Sequence, residues 1–108
     1  MADPETVARA YYAAIDEGRY DDLRGLLGSG FVHDRPDGNL GGPETFVRFM
    51  RDERPLTDTT HEIDGTYANG ERIAVRGRLC HDGGVLFEFL DVHTIEEGTL
   101  AHLRTYTG

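Results

Sequence analysis

The sequence predicts an α+β fold, with three N-terminal helices packed on a curved antiparallel sheet made of a four-strand meander and one short earlier strand. Three observations predict it. Apolar spacing is helical as far as Arg54 and becomes alternating from Thr57 onward. The alternating segments are separated by Asn69-Gly70, Asp82-Gly83-Gly84 and Glu96-Glu97-Gly98, which carry hairpin chemistry. The 108 residues leave room for one core, so a single domain over 1–108 is expected.

The first helix is signed by Asp3 as its cap, Pro4 at its first position and Glu5 at the positive end of its dipole. Val7, Tyr11, Ala14 and Ile15 follow one face, and Gly18 suits a left-handed stop. A second helix is expected over Tyr20 to Leu27, with Leu23, Leu26 and Leu27 inward and Gly28 ending it. Phe31, Val32, His33 and Asp34 form a short strand before the Arg35-Pro36-Asp37-Gly38 turn. The Gly-rich stretch to Gly42 reads as a loop; it lacks both the P-loop lysine and the dinucleotide spacing. Pro43 opens a third helix that buries Phe46, Val47 and Met50 and ends near Arg54, because Pro55 disfavours its continuation.

Four strands follow over 58–68, 71–80, 85–95 and 99–107, with Gly65 and Gly77 as sites for bulges that curve the sheet. On the second of them Ile73, Val75, Gly77 and Leu79 oppose Ala74, Arg76, Arg78 and Cys80. On the third, Val85, Phe87, Phe89, Asp91, His93 and Ile95 share one side, while Leu86, Leu90 and Val92 make the other side apolar too. A strand apolar on both faces is normally covered on both. The helices cover one face, and a second copy is the simplest cover for the other, so a homodimer through the sheet face is expected.

Twenty acidic residues face eleven basic ones, all arginine, for a formal charge of −9. A surface this negative excludes a nucleic-acid footprint and repels anionic membranes. Acidity together with absent lysine fits adaptation to high salt, as in a halophilic protein; a G+C-rich genome is the alternative source of the same bias. No apolar stretch approaches the roughly 20 residues of a membrane span. The N-terminal residues lack signal-peptide features, and Cys80 is the only cysteine, so a cytoplasmic location is expected.

Several segments carry a resemblance. Tyr11-Tyr12-Ala13-Ala14-Ile15-Asp16-Glu17-Gly18 and Tyr20-Asp21-Asp22-Leu23 lie in the helical pair; Phe31-Val32-His33-Asp34-Arg35-Pro36 and Gly42-Pro43-Glu44-Thr45-Phe46 follow. Asp91-Val92-His93 and Gly98-Thr99-Leu100-Ala101-His102-Leu103-Arg104 close the chain. In this order they resemble the nuclear transport factor 2-like superfamily, in its SnoaL-like and ketosteroid-isomerase-like branch. That resemblance implies a cone-shaped pocket between helices and sheet, and frequent dimerisation through the sheet. The superfamily includes isomerases, polyketide cyclases, epoxide hydrolases, dehydratases and non-catalytic members, so the fold alone does not define an activity.

The same resemblance nominates site residues. Tyr11 matches a hydrogen-bond-donating tyrosine of the first helix, suited to a carbonyl or developing enolate oxygen. Asp91 matches an aspartic acid kept protonated by apolar surroundings, and its strand face, shared with Phe87 and Phe89, would raise its pKa by desolvation. The base is open between two residues. In the isomerase pattern the catalytic aspartate directly precedes a proline, whereas here Arg35 separates Asp34 from Pro36. A one-residue shift in a strand reverses the face. Either a bulge returns Asp34 to the pocket, or His33 points inward and serves instead. Ile15, Val75, Leu79, Phe87, Phe89, His93 and Leu103 are the expected pocket wall. Asp91 and His93 share a face, but no histidine pair has metal-ligand spacing, so no metal and no cofactor are expected. Arg76 and Arg78 face away from the pocket, which disfavours epoxide-hydrolase chemistry, and Cys80 reads as a small strand residue.

The resulting expectation is a pocket for a small apolar molecule, with isomerase-like or cyclase-like acid–base chemistry on a carbonyl compound. The contrasting expectation is a ligand-binding or protein-interaction module of the same fold without catalysis.

Overall fold

The structure, a computed structural model, describes residues 3–107, so Met1, Ala2 and Gly108 of the expected domain lie outside the described residues. The elements run α1 (Pro4–Asp16), α2 (Tyr20–Leu26), β1 (Leu27–Arg35), β2 (Gly38–Gly41), α3 (Pro43–Arg48), β3 (Thr60–Asn69), β4 (Arg72–His81), β5 (Gly84–Glu96) and β6 (Thr99–Thr107). They make an α+β fold of three helices on a curved, open, six-stranded sheet ordered β2-β1-β6-β5-β4-β3.

α1 begins where the side chain of Asp3 accepts a hydrogen bond from the Thr6 backbone N–H at 2.8 Å, one of the four donors a helix start leaves open. Its inward stripe is broad and includes both Tyr11 and Tyr12. α2 is one residue shorter than expected, because Leu27 is already extended and opens β1. α3 continues into a π-helical turn, Phe49–Glu53, in which the Arg54 N–H donates to the Phe49 carbonyl at 2.9 Å. Pro55 prevents further helix, and the Arg54 side chain then donates to Met50 O, Thr59 Oγ1, Tyr20 Oη and Thr57 O, tying the 54–59 segment to α2.

The sheet corrects two expectations. It is mixed, not antiparallel throughout, since β1 runs parallel to β6, with His33 beside Leu103 and Asp34 beside Arg104. The Gly-rich loop contains a strand: β2 pairs antiparallel with β1 through the Pro36-Asp37 turn, and a four-residue strand of this composition forms only because β1 offers an edge. The meander follows its turn signals. Asp82 and Gly83 both take positive φ, as do Glu97 and Gly98, the geometry that matches hairpin twist. Curvature comes from a bulge in β3 between Ile63 and Gly65, opposite Gly77.

The core between helices and sheet includes the fully buried Ile15, Leu23, Phe31, Phe46, Ile73, Val75, Leu100 and Leu103. Each such side chain contributes roughly 1.5–3 kcal/mol by leaving water. On the opposite face of the sheet, Leu90 and Tyr106 are exposed; Leu86, expected there by alternation, instead borders the cavity, because a register shift between β4 and β5 at Leu79/Cys80 leaves it unpaired. Arg78 lies on that opposite face too, bridging to Glu62 and Asp64 at 3.1 Å each.

Candidate functional site

A cavity of about 700 Å³ opens between α1, the π-helical turn and the inner face of the sheet. Its apolar wall includes Ile15, Phe49, Met50, Leu79, Phe87 and Phe89, and its polar groups include Tyr11, His33, Arg35, Arg54, His61, Asp91 and Thr105. α1 supplies Tyr11 and Ile15 from one helical face, and alternation on β1 and β5 turns His33 and Asp91 inward.

A chain of five polar side chains runs from the cavity surface, where His33, Thr105 and Asp91 lie, into the packed layer below it, where Tyr12 and His93 lie. The Tyr12 hydroxyl donates to Asp91 Oδ2 at 2.7 Å and lies 2.7 Å from His93 Nε2. The Thr105 hydroxyl donates to Asp91 Oδ1 at 2.6 Å and lies 2.8 Å from His33 Nε2. With Asp91 ionised, both hydroxyl protons go to the carboxylate, so both imidazoles must donate through Nε2–H. Each Nδ1 is then a lone pair, in keeping with both atoms being buried without a hydrogen-bond partner among the described residues. A buried acceptor without a partner is tolerated better than a buried donor.

Burial governs the titration of these groups. It holds Asp91 above the usual carboxylate range, against the opposing hydrogen bonds from Thr105 and Tyr12. It pushes His33 down to about 3, with the Arg35 charge acting in the same direction, and His93 down to about 3. Burial, aided by the Asp91 charge, also raises Tyr11 and Tyr12 well above 10, so both phenols keep their protons and remain donors.

The expected site residues are distributed unevenly. Tyr11, His33, Asp91, Ile15, Leu79, Phe87 and Phe89 line the cavity. Asp34 does not: no bulge reverses its face, and it sits on the opposite side of the sheet with Oδ2 2.6 Å from His102 Nε2. His93, Val75 and Leu103 are fully buried and lie in the packed layer below the lining. The tyrosine that reaches Asp91 is Tyr12, whereas the Tyr11 hydroxyl has no hydrogen-bond partner among the described residues. The Tyr11 ring packs on Phe46 and His93.

One pair escaped the sequence reading. His61, on β3, lines the cavity with its ring between Tyr12 and Phe89. Its Nδ1 lies 2.6 Å from Asp16 Oδ1, and its backbone N–H donates to Asp16 Oδ2 at 2.9 Å. Asp16 closes α1, so this carboxylate both ties the helix end to the sheet and orients the imidazole. The available signal was alternation: His61 shares a strand face with Ile63, the half-buried apolar residue that packs on the core. Among the described residues no three His, Cys, Asp or Glu side chains gather to hold a metal ion, and no helix is long and apolar enough to cross a membrane.

The SnoaL-like domain family matches residues 8–103. The chain belongs to that family. No curated protein matches it significantly. Among solved structures, an NTF2-like protein of unknown function from Cytophaga hutchinsonii superposes with a TM-score of 0.87 at 13% identity, over 100% of this chain and 92% of that one. A protein from Kribbella flavida provisionally named a ketosteroid isomerase gives 0.87 at 16% identity, over 97% and 77% of the two chains. An LEH-like epoxide hydrolase from M. tuberculosis gives 0.85 at 16%, over 97% and 82%. At such identities the SnoaL-like chain shares a fold with these proteins, and its chemistry must be argued from its own residues.

Proposed function

We propose that this SnoaL-like protein binds a small, largely apolar carbonyl compound and moves a proton beside the carbonyl, the chemistry of isomerisation or aldol-type cyclisation. One observation carries the reading: the cavity wall holds a histidine oriented by a carboxylate. With Asp16 accepting from Nδ1–H, the His61 lone pair is left on Nε2, which has no hydrogen-bond partner among the described residues. That is the arrangement a general base requires. Tyr11, a phenol without a partner on the same cavity, donates to the carbonyl oxygen as negative charge develops there. Asp91 holds Tyr12 and Thr105 in place, and through Thr105 it orients His33. His33 is a poor base, because its pKa of about 3 leaves little driving force for taking a proton at neutral pH. The name of the Kribbella flavida relative belongs to the same reaction class, which supports the reading without carrying it.

Deuterium exchange tests it. With 2-tetralone in D2O, the protein speeds exchange of the protons next to the carbonyl, read by NMR. His61→Gln lowers that rate by about 10²-fold or more, and Asp34→Asn leaves it within roughly twofold. If exchange matches buffer, or if His61→Gln keeps the rate, the proton-transfer reading fails and a non-catalytic binding module takes its place.

We also propose that two copies pair through the outer sheet face, supported by the exposed Leu90 and Tyr106, which face each other across the adjacent strands β5 and β6. Light scattering then returns twice the chain mass, and Leu90→Glu returns the monomer. A monomeric wild-type protein would overturn the pairing.

A further inference from the structure

The cavity mouth contains a cation that the proton-transfer reading does not use. Arg35 closes β1 two residues after His33, on the same strand face, and lines the cavity. Its side chain is only 22% exposed, and its guanidinium carbon sits 4.5 Å from the centre of the Phe49 ring. Its Nε is buried and makes no hydrogen bond among the described residues. The nearest carboxylate, the exposed Asp37, approaches Nε only to 3.5 Å. The two Nη groups have no hydrogen-bond partner among the described residues.

This is unusual within the chain. Arg9, Arg19, Arg24, Arg48, Arg51 and Arg78 all hold carboxylates at 3.1 Å or less. Arg54 is consumed by four acceptors. Arg72, Arg76 and Arg104 make no ion pair among the described residues, but they are exposed and keep their water. Arg35 alone combines burial, a place on the cavity and an unfilled donor edge. Twenty carboxylates were available to fill it. Its Nε is taken out of water without a hydrogen-bonded anion, which is costly, and stacking on Phe49 offsets only part of that cost, while the Nη groups stay open to whatever enters the cavity.

We infer that Arg35 receives a planar anionic group, a carboxylate, carried by the molecule that fills the cavity. The fork of guanidinium donors matches a carboxylate with two parallel hydrogen bonds. The inference rests on the cavity being the proton-transfer site proposed above and names its substrate class: a keto acid whose apolar body lies along Phe87 and Phe89. The protein's overall negative charge does not oppose this decisively. Repulsion from distant surface carboxylates is screened within about 10 Å at moderate salt, while Arg35 acts at contact distance.

The test uses 4-oxo-4-phenylbutanoate and its methyl ester, two ketones that differ in one charge. Calorimetry is expected to find the acid binding roughly tenfold or more tightly than the ester. Arg35→Met, which keeps the apolar stem over Phe49, removes that preference, and Arg35→Lys restores part of it. Arg76→Met, an equal loss of charge at an exposed site, leaves the preference intact. An acid that binds no better than its ester, or whose preference survives Arg35→Met, overturns the anion site whatever the exchange assay returns. Arg35-dependent binding with no deuterium exchange on either ketone keeps the anion site and sinks the proton-transfer reading instead.

Discussion

Taken from about pH 7.5 to about pH 5, the protein loses up to roughly 4 kcal/mol of stability through His33 and His93. Both imidazoles are held near 3 in the folded state, against a value of 6.5 when free. Between those values the unfolded chain binds two protons that the native chain refuses. Stability is therefore intact above 6.5 and falls progressively as pH drops toward 3. At pH 5 each histidine accounts for about 2 kcal/mol, against a typical total of roughly 5–15 kcal/mol. Asp91 has the opposite sign: its folded value is raised, so the native form takes a proton first and recovers some stability at lower pH.

The direction is diagnostic, because a chain of formal charge −9 with an isoelectric point near 4.8 would otherwise gain stability as its self-repulsion is neutralised. Urea unfolding at the two pH values checks it. His93→Gln, which retains a donor for Tyr12, should remove about half of the pH sensitivity. Stability that is flat or rising as pH falls to 5 would contradict the buried, neutral assignment of both imidazoles.

Gly77→Ala is expected to cost about 3 kcal/mol or more, because an added methyl there meets backbone at closer range than at the other glycines whose surroundings are described. A Cβ at Gly77 would lie 2.3 Å from the Glu62 carbonyl oxygen and 3.0 Å from Phe89 Cζ. The first of these is backbone of the bulged strand and cannot swing aside, so β3 must move away from β4. The second carries the strain to the cavity wall, since Phe89 packs against both Tyr12 and His61. Gly25→Ala is the contrast: nothing lies within 4 Å of its added methyl, and it sits in helix α2. There alanine should stabilise by about 0.5–1 kcal/mol. Urea midpoints for the two variants should thus move in opposite directions; a Gly77→Ala protein as stable as wild type would refute the close approach.

Legibility in the sequence varied with the range of the interaction. α1 could be read from Asp3, Pro4 and its apolar stripe, and each meander hairpin from a glycine whose positive φ its turn demands. β2 could not be, because Gly38-Asn39-Leu40-Gly41 has almost no strand propensity of its own and is extended only by pairing with β1. At the site, alternation brought His33 and Asp91 inward and left Asp34 on the far face, a choice that depends on strand register. Tyr12 was legible only as a neighbour of Tyr11, since the α1 stripe is wide enough to bury both. The Asp16–His61 pair spans 45 residues and joins a helix end to a strand start, so no local period could announce it.

By itself, then, the sequence determined the three helices, the four meander strands, the fold family and the strongly negative charge. Each is written in local spacing or in composition, which a chain carries whatever it packs against. Only the tertiary structure decided that the sheet is mixed, that Tyr12 reaches Asp91, that His61 is oriented by Asp16, and that Arg35 is left with an open donor edge. These depend on which distant segments meet and in what register. A shift of one residue in any of those pairings would turn the same side chains to the opposite face.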